Sequence, residues 1–335
     1  MNAATQRSVV FRKRPQGAPK SEDMAVVETA LPEPGPGEVL VAARLISIDP
    51  YVRTMIDAAN PYGTPMPLET TVTGDMAGEV VASRHPDWRP GDLAAGRLGW
   101  SSHGLASADR LRRLDPALGP LELHLALFGS SGLTAWFGMV DLGRPRPGDS
   151  VLVSGAAGAV GQVASQVAAA AGARVVGIAG GPAKCRHLTD ELGLHGAIDH
   201  RAGDIAAALD RLFPDGIDVY FDNVGGTVTH AVMPRLARHA RVVVCGESSQ
   251  YDAIGREFDP RILGPLMDSR ATMSGLLVSD YAARYDEGRR ALATLHHDGR
   301  LKVGIDLVDG LENAPAAFIG MLRGENTGKR LVRIS

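Results

Sequence analysis

The chain is short of cysteine, of any surplus of one charge and of long apolar runs, and each shortage removes a class of protein. Cys185 and Cys245 are the only cysteines in 335 residues, which excludes a disulfide framework and suits a reducing compartment. Lys and Arg number 35 against 38 Asp and Glu, a formal net charge of −3, so no basic face is available for nucleic acid. No apolar run is long enough to span a bilayer, and the opening MNAATQRSVVFRKRPQG carries charges without the apolar core of a signal peptide. These absences lead to the expectation of a soluble cytoplasmic protein whose partner is a small molecule, with neither nucleic acid nor membrane involved.

The chain does carry a glycine turn around which the rest is organised, VLVSGAAGAVGQ at Val151 to Gln162. Val151, Leu152 and Val153 suit a parallel strand buried on both faces. Gly158 and Gly161 leave bare backbone where a pyrophosphate must approach a helix N-terminus. Val160, Val163, Ala164, Val167, Ala168 and Ala171 then recur at helical spacing, with Gly172 placed to cap the helix. The local pattern is AxGxxG, because Ala156 stands where the full dinucleotide fingerprint has its first glycine. By itself such a run also fits an ordinary strand-to-helix turn.

The flanks argue for the nucleotide reading. Residues 1–128 read as β-rich: Met24 to Thr29, Val39 to Ile48 and Ala77 to Ala82 are short apolar segments separated by LPEPGPGE and HPDWRPGD. From Gly129 strands near 151–153, 174–178, 219–221, 242–245 and 272–278 alternate with helical stretches near 159–171, 182–192, 204–213, 226–237 and 259–269. The expected fold class is α/β, a Rossmann-type doubly wound parallel sheet over 129–302 and a β-rich barrel over 1–128 to which 303–335 return.

Cofactor choice turns on the end of the second strand. An NAD site places an acid about 20 residues after the glycine turn, yet RVVGIAGGPAK, Arg174 to Lys184, contains none. Gly180 and Gly181 leave room there, and Lys184, with Arg186 or Arg201 behind it, supplies charge for a 2′-phosphate, so NADPH is expected. The plain alternative is that Lys184 is a solvated residue opening a helix. Two later loops, YFDNVGG with Asp222 and Asn223, and CGESSQY from Cys245 to Tyr251, fall at strand ends where ligands of open α/β sheets bind.

ISIDPYVRTMID (Ile46 to Asp57), LTAWFGMVDLGRPRPGDSVLVSGAAGAVGQ (Leu133 to Gln162), GGPAKC, YFDNVGG, CGESSQY and ENAPAAFIGMLRGENTGK (Glu312 to Lys329) together resemble the zinc-independent medium-chain reductases of the leukotriene 12-hydroxydehydrogenase, prostaglandin reductase and curcumin or alkenal double-bond reductase type. The resemblance implies a GroES-like barrel beside the Rossmann domain, a homodimer, and NADPH as cofactor. It places Ala157, Gly158, Ala159 and Val160, with Gly161, at the pyrophosphate, and Gly181 and Lys184 at the 2′-phosphate. Asn223 and the loop Cys245, Gly246, Ser248, Ser249 and Tyr251 take the rest of the dinucleotide. Leu276, Leu277 and Val278 lie beside the nicotinamide, which Asn326 reaches from the tail. The chain departs from its relatives at four places. His200 replaces a tyrosine near the adenosine phosphate, Leu276 an aromatic, and Ser130–Ser131 a Met-Pro pair. PLMDSRATM, Pro265 to Met273, lacks the tyrosine of the mammalian members.

Zinc-dependent dehydrogenases need Cys, His and carboxylate ligands. Here no CxxC occurs and His296 and His297 are adjacent, a poor ligand geometry. Without a Lewis acid, a conjugated enone is the easier acceptor, because hydride at its β-carbon leaves charge on an oxygen that hydrogen bonds can hold. The expected activity is therefore NADPH-dependent reduction of an α,β-unsaturated ketone or aldehyde, the enolate being held by a tyrosine and a ribose hydroxyl. Tyr51, Tyr251 and Tyr62 are the candidate donors, and Tyr51 reads equally as a barrel core residue. The rivals are NADPH:quinone reduction and, from another class, NADPH binding without catalysis.

Overall fold

The computed structural model describes residues 4–58, 60, 63–252 and 262–334. The chain forms two compact units; the first takes residues up to Leu125, Ile305–Asn326 and those from Arg330 on, the second Ala126–Gly304 and Thr327–Lys329.

In the first unit, β1 (Thr5–Phe11), β2 (Met24–Ala30), β3 (Glu38–Ser47), helix α1 (Tyr51–Met55), β4 (Thr70–Thr71), β5 (Asp75–Ser83), β6 (Leu93–Arg97), β7 (His103–Ser107) and β8 (Arg112–Arg113) precede α2 (Leu121–Ala126), whose last residue belongs to the second unit. The apolar segments anticipated at 24–29, 39–48 and 77–82 are β2, β3 and β5.

The second unit continues with α3 (Ser130–Phe137), β9 (Ser150–Val153), α4 (Ala159–Ala170), β10 (Arg174–Ala179), α5 (Pro182–Arg186), β11 (Gly196–Asp199), α6 (Ile205–Leu212), β12 (Ile217–Asp222), α7 (Gly226–Val232), β13 (Leu236–Val244), α8 (Leu263–Ser269), β14 (Thr272–Gly275) and α9 (Tyr285–His297). Its six strands pair in parallel in the order β11-β10-β9-β12-β13-β14. That is the doubly wound order, and it reverses direction between β9 and β12, where such sheets open a crevice at their carboxyl ends. Val151, Leu152 and Val153 are fully buried, as a strand covered on both faces requires. Leu152, Val176, Ile178, Tyr220 and Val242 build the core with Leu209, Val228 and Val232 from the helices.

Some boundaries differ from the sequence expectation. The stretch 182–192 is α5 followed by a π-type turn over His187–Glu191, and Val278–Arg284 is a 3₁₀ segment ahead of α9. Helix α4 buries nearly every side, and its two glutamines are paired there: Gln162 donates to Gly304 O (3.1 Å) and accepts from Gly304 N–H (2.8 Å), and Gln166 does the same with Lys302 at 2.8 Å each way.

The tail supplies β15 (Ile305–Asp309), α10 (Ala314–Leu322) and β16 (Lys329–Arg333). With them the first unit completes a seven-stranded sheet, β15-β16-β3-β5-β6-β8 with β7 beside β3, and a three-stranded sheet, β2-β1-β4. Strand β3 pairs with β5 along one edge and with β7 and then β16 along the other. Trp100, Phe11, Ile46, Ile48 and Phe318 pack together in one of its cores. Among the described residues no helix is long and apolar enough to cross a membrane.

Candidate active site in the second unit

The glycine turn sits at the carboxyl end of β9. Gly155 adopts φ +57°, and Gly158 caps α4 with its carbonyl accepting from Gln162 N–H (3.0 Å). The N–H groups of Ala159, Val160 and Gly161 precede that first intrahelical bond, which leaves them to a ligand. Gly161 has no room for a side chain: a Cβ there would lie 2.3 Å from Gly155 O and 2.7 Å from Ala156 Cα. At Gly158 a Cβ would meet only Gly155 O, at 3.2 Å. Ala156 replaces the first fingerprint glycine without strain because the neighbouring strand makes space; a Cβ on Gly177 of β10 would fall 2.6 Å from the Ala156 methyl. The turn is also tied to the tail, Gly328 N–H donating to Ala157 O (2.7 Å) and Lys329 N–H to Gly304 O (2.9 Å). Asn326, buried, directly precedes this returning segment.

One carboxylate builds the adjoining loop. Asp222, at the end of β12, is 3% exposed and accepts from Ser154 Oγ (2.8 Å), from the N–H groups of Val224 and Gly225 (3.0 Å each) and from Thr229 Oγ1. Its side chain is therefore spent inside the protein. Asn223 gives its backbone N–H to Ser154 Oγ (2.9 Å) and a side-chain N–H to Ser154 O (2.7 Å), which fixes the 154–158 turn against the 222–226 loop. The third loop docks on the second: Cys245 and Gly246 N–H donate to Asp222 O (2.8 and 3.1 Å), Ser248 N–H to Asn223 O (3.3 Å), and Ser249 N–H and Oγ–H to Val224 O (3.0 and 2.7 Å). Burial, with the Asp222 charge, pushes the Cys245 thiol up to about 12, so it is neutral at physiological pH. Tyr251 is buried, its hydroxyl folded back against Gly246. Beyond β14, Leu276 N–H bonds to Val244 O (2.9 Å) and its side chain occupies the space that Gly138 leaves open, whereas Leu277 is 52% exposed and Val278 O accepts from Tyr285 Oη (3.1 Å). The turn residues 157–161, Asn223 and the 245–251 loop are thus gathered at the carboxyl ends of β9, β12 and β13, with 276–278 following β14.

At the end of β10 the space beside Gly181 is empty of protein, and its φ of +94° is one that glycine tolerates. A Cβ on Gly180 would lie 2.8 Å from both His200 Nε2 and Arg201 Nε, and the Lys184 charge is felt at the His200 ring. The residue missed by sequence reasoning is Asp199, which ends β11 and accepts from Gly181 N–H (2.8 Å) and Arg201 N–H (2.9 Å). These two bonds, the Gly181 one first, hold its carboxyl below the usual carboxylate range. Its signal, AID at the end of a four-residue strand, is too short to carry a period.

In the first unit, Tyr51 opens α1 with Arg97 5.2 Å over its ring, and its hydroxyl is buried near the Thr73 side chain. Burial, then the Asp49 and Asp75 charges, push the phenol well above the ordinary range, which keeps it a neutral donor. Arg53 of the same DPYVR run is buried and pairs with Asp57 (2.9 Å). Tyr62 lies outside the described residues. Also among the described residues, no three His, Cys, Asp or Glu side chains are grouped to hold a metal ion.

Two family models match, an N-terminal domain of oxidoreductase over residues 7–114 and a zinc-binding dehydrogenase domain over 159–297. The chain is 42% identical to YfmJ of Bacillus subtilis, described as an NADP-dependent oxidoreductase, over 99% of this chain and 98% of that one. It is 36% identical to the NADPH-dependent curcumin reductase of Escherichia coli over 98% and 97%. The crystal structure of CurA from Vibrio vulnificus, also solved in complex with NADPH, aligns over 98% of this chain and 99% of that one with a TM-score of 0.93 at 36% identity. The chain belongs to the medium-chain dehydrogenase/reductase family, in the group of the curcumin, prostaglandin and 2-alkenal reductases.

Proposed function

We propose that this oxidoreductase uses NADPH to reduce the carbon–carbon double bond of α,β-unsaturated ketones or aldehydes. The observation that carries the cofactor assignment is the gathering of Lys184, His200 and Arg201 around a Gly180–Gly181 turn that has open space beside it. Support for the substrate class comes from relatives whose names denote curcumin and 2-alkenal reduction, both conjugated carbonyls.

The residues fit the dinucleotide. Residues Ala157 to Gly161 suit the pyrophosphate through the N–H groups of Ala159, Val160 and Gly161, Gly181, Lys184 and His200 the 2′-phosphate, and Asn223, Cys245, Gly246, Ser248, Ser249 and Tyr251 the remainder, with Leu276, Leu277, Val278 and Asn326 at the nicotinamide end. NADPH, when bound, supplies the hydride. The chain's part is then to orient the acceptor, keep water out and place a donor at the oxygen where charge collects. Among the candidate tyrosines, Tyr51 is favoured by its buried hydroxyl, held protonated, while Tyr251 is turned toward its own loop. Tyr51→Phe is expected to lower kcat by about 100-fold with NADPH affinity unchanged; kcat within twofold of wild type assigns the proton to water.

Lys184→Ala is expected to weaken NADPH by roughly tenfold, the worth of one charge-assisted contact, and to leave NADH binding as it is. Equal losses for both cofactors in fluorescence titrations would remove Lys184 from the 2′-phosphate. The reaction itself is tested with NADPH deuterated at the transferring position: the label is expected at the β-carbon of the product, and label at the carbonyl carbon contradicts the reading.

A homodimer through the sheet edge belongs to the same proposal. Strand β14 is one edge, and α8, which packs on the neighbouring β13, exposes Leu263 and Met267 at 62% and 73%. Leu263→Glu with Met267→Glu is expected to halve the mass seen by light scattering; an unchanged mass places the interface elsewhere.

A further inference from the structure

We propose that NADPH binding by this chain is coupled to proton uptake at His200, so that preference for NADPH over NADH rises as the pH falls through neutrality. The inference rests on the NADPH reading above and adds a titrating group to the 2′-phosphate pocket. Its basis is geometric. Asp199, by accepting from the N–H groups of Gly181 and Arg201, fixes the turn that carries His200 against the turn that carries the glycines. The ring nitrogen Nε2 and Arg201 Nε are thereby set equally close to Gly180, each 2.8 Å from where a Cβ would stand. A phosphate bound against the Gly180–Gly181 turn, in the open space at Gly181, would face both.

The charged and titratable groups facing the ring are Arg201 and Asp199 from its own turn and Lys184 from α5, with Cys185 of α5 near Asp199. Burial first, then the Arg201 charge, hold the free imidazole below the ordinary histidine range; Asp199 opposes them and Lys184 adds to them. A phosphate dianion in the same pocket favours the imidazolium. The pKa in the complex is thus higher than in the free protein. The extra affinity is then fully present below the free-state value and is lost as the pH rises through the bound-state value. Its neighbours do not change charge in this interval. Lysine and arginine carry fixed charge near neutrality, burial and Asp199 push the Cys185 thiol up, and Asp199 is held ionised. The phosphate's own second ionisation, near about 6, sets the lower limit of the useful range.

The test is calorimetry of the full chain with NADPH and with NADH between about pH 6.5 and 8, each in two buffers of different ionisation enthalpy. NADPH is expected to take up a fraction of a proton, and its Kd to rise roughly three- to tenfold across the range, while NADH shows neither. His200→Gln, and His200→Tyr as a second variant that donates without titrating here, are expected to bind NADPH with no pH trend and no uptake. NADPH that binds more tightly than NADH without proton uptake, or uptake that survives in both variants, overturns the His200 role and leaves the cofactor assignment standing. NADPH no tighter than NADH at any pH overturns both.

Discussion

Gly161→Ala is expected to destabilise the protein by about 3 kcal/mol, lowering Tm by roughly 6–12 °C, whereas Gly158→Ala is expected to lower Tm by about half as much or less and to weaken NADPH about 100-fold, the equivalent of roughly 3 kcal/mol. The two glycines differ in what surrounds them. At Gly161 the added methyl would meet the Gly155 carbonyl at 2.3 Å and Ala156 Cα at 2.7 Å. Both are backbone, so the helix and the turn must move apart. Gly158 has an ordinary φ of −88° and only the Gly155 carbonyl nearby, at 3.2 Å. Alanine at this cap costs the fold less than about 1–2 kcal/mol, yet its methyl stands where the pyrophosphate approaches the helix N-terminus. Thermal unfolding and NADPH titration of both variants check the contrast. Full NADPH affinity in Gly158→Ala would mean that the pyrophosphate does not use this turn.

The second large effect is at Asp222. Replacing it with alanine removes the acceptor for Ser154, Val224, Gly225 and Thr229 at once, and the stranded donors are expected to cost about 3–5 kcal/mol, or roughly 6–20 °C in Tm. Because the 154–158 turn, the 222–226 loop and the 245–251 loop all lean on this residue, NADPH affinity should fall with stability. Asp222→Asn sharpens the argument. An amide oxygen still accepts from Ser154, Val224 and Gly225, and the amide N–H can donate to Thr229 Oγ1, which turns its own hydrogen toward Tyr220 Oη, 3.2 Å away. The asparagine variant should therefore lose less than half as much. Equal loss in both variants would show that the negative charge, not the hydrogen bonds, holds the loops.

How far the fold was legible varied with local chemistry. The parallel sheet could be read because β9, β10 and β12 are buried on both faces at their centres and carry short apolar runs there, VLV, VVGIA and VYF. Strand β11 was not, because Gly196–Asp199 is short and mixed, and the start of β13 was hidden because Leu236 to His239 are partly or fully exposed. The crevice was legible in the same uneven way. Gly158 and Gly161 announce themselves by type. The inward turn of Asp222 did not, since an acid at a strand end looks alike whether it faces a ligand or its own loop. The role of Asp199 was equally invisible, because it depends on the backbone of Gly181, eighteen positions away. The compensation between Ala156 and Gly177 lies across two strands, so the imperfect AxGxxG pattern looked weaker in sequence than it is in space.

The most direct test of the account follows NADPH oxidation with a conjugated enone, a 2-alkenal, a quinone and a saturated ketone, each repeated with NADH and after chelator treatment. Turnover of the enone or alkenal, preference for NADPH, insensitivity to the chelator and no reaction with the saturated ketone are expected. Turnover of the quinone alone would move the assignment to quinone reduction. Reduction of the saturated ketone that the chelator abolishes would contradict the account outright.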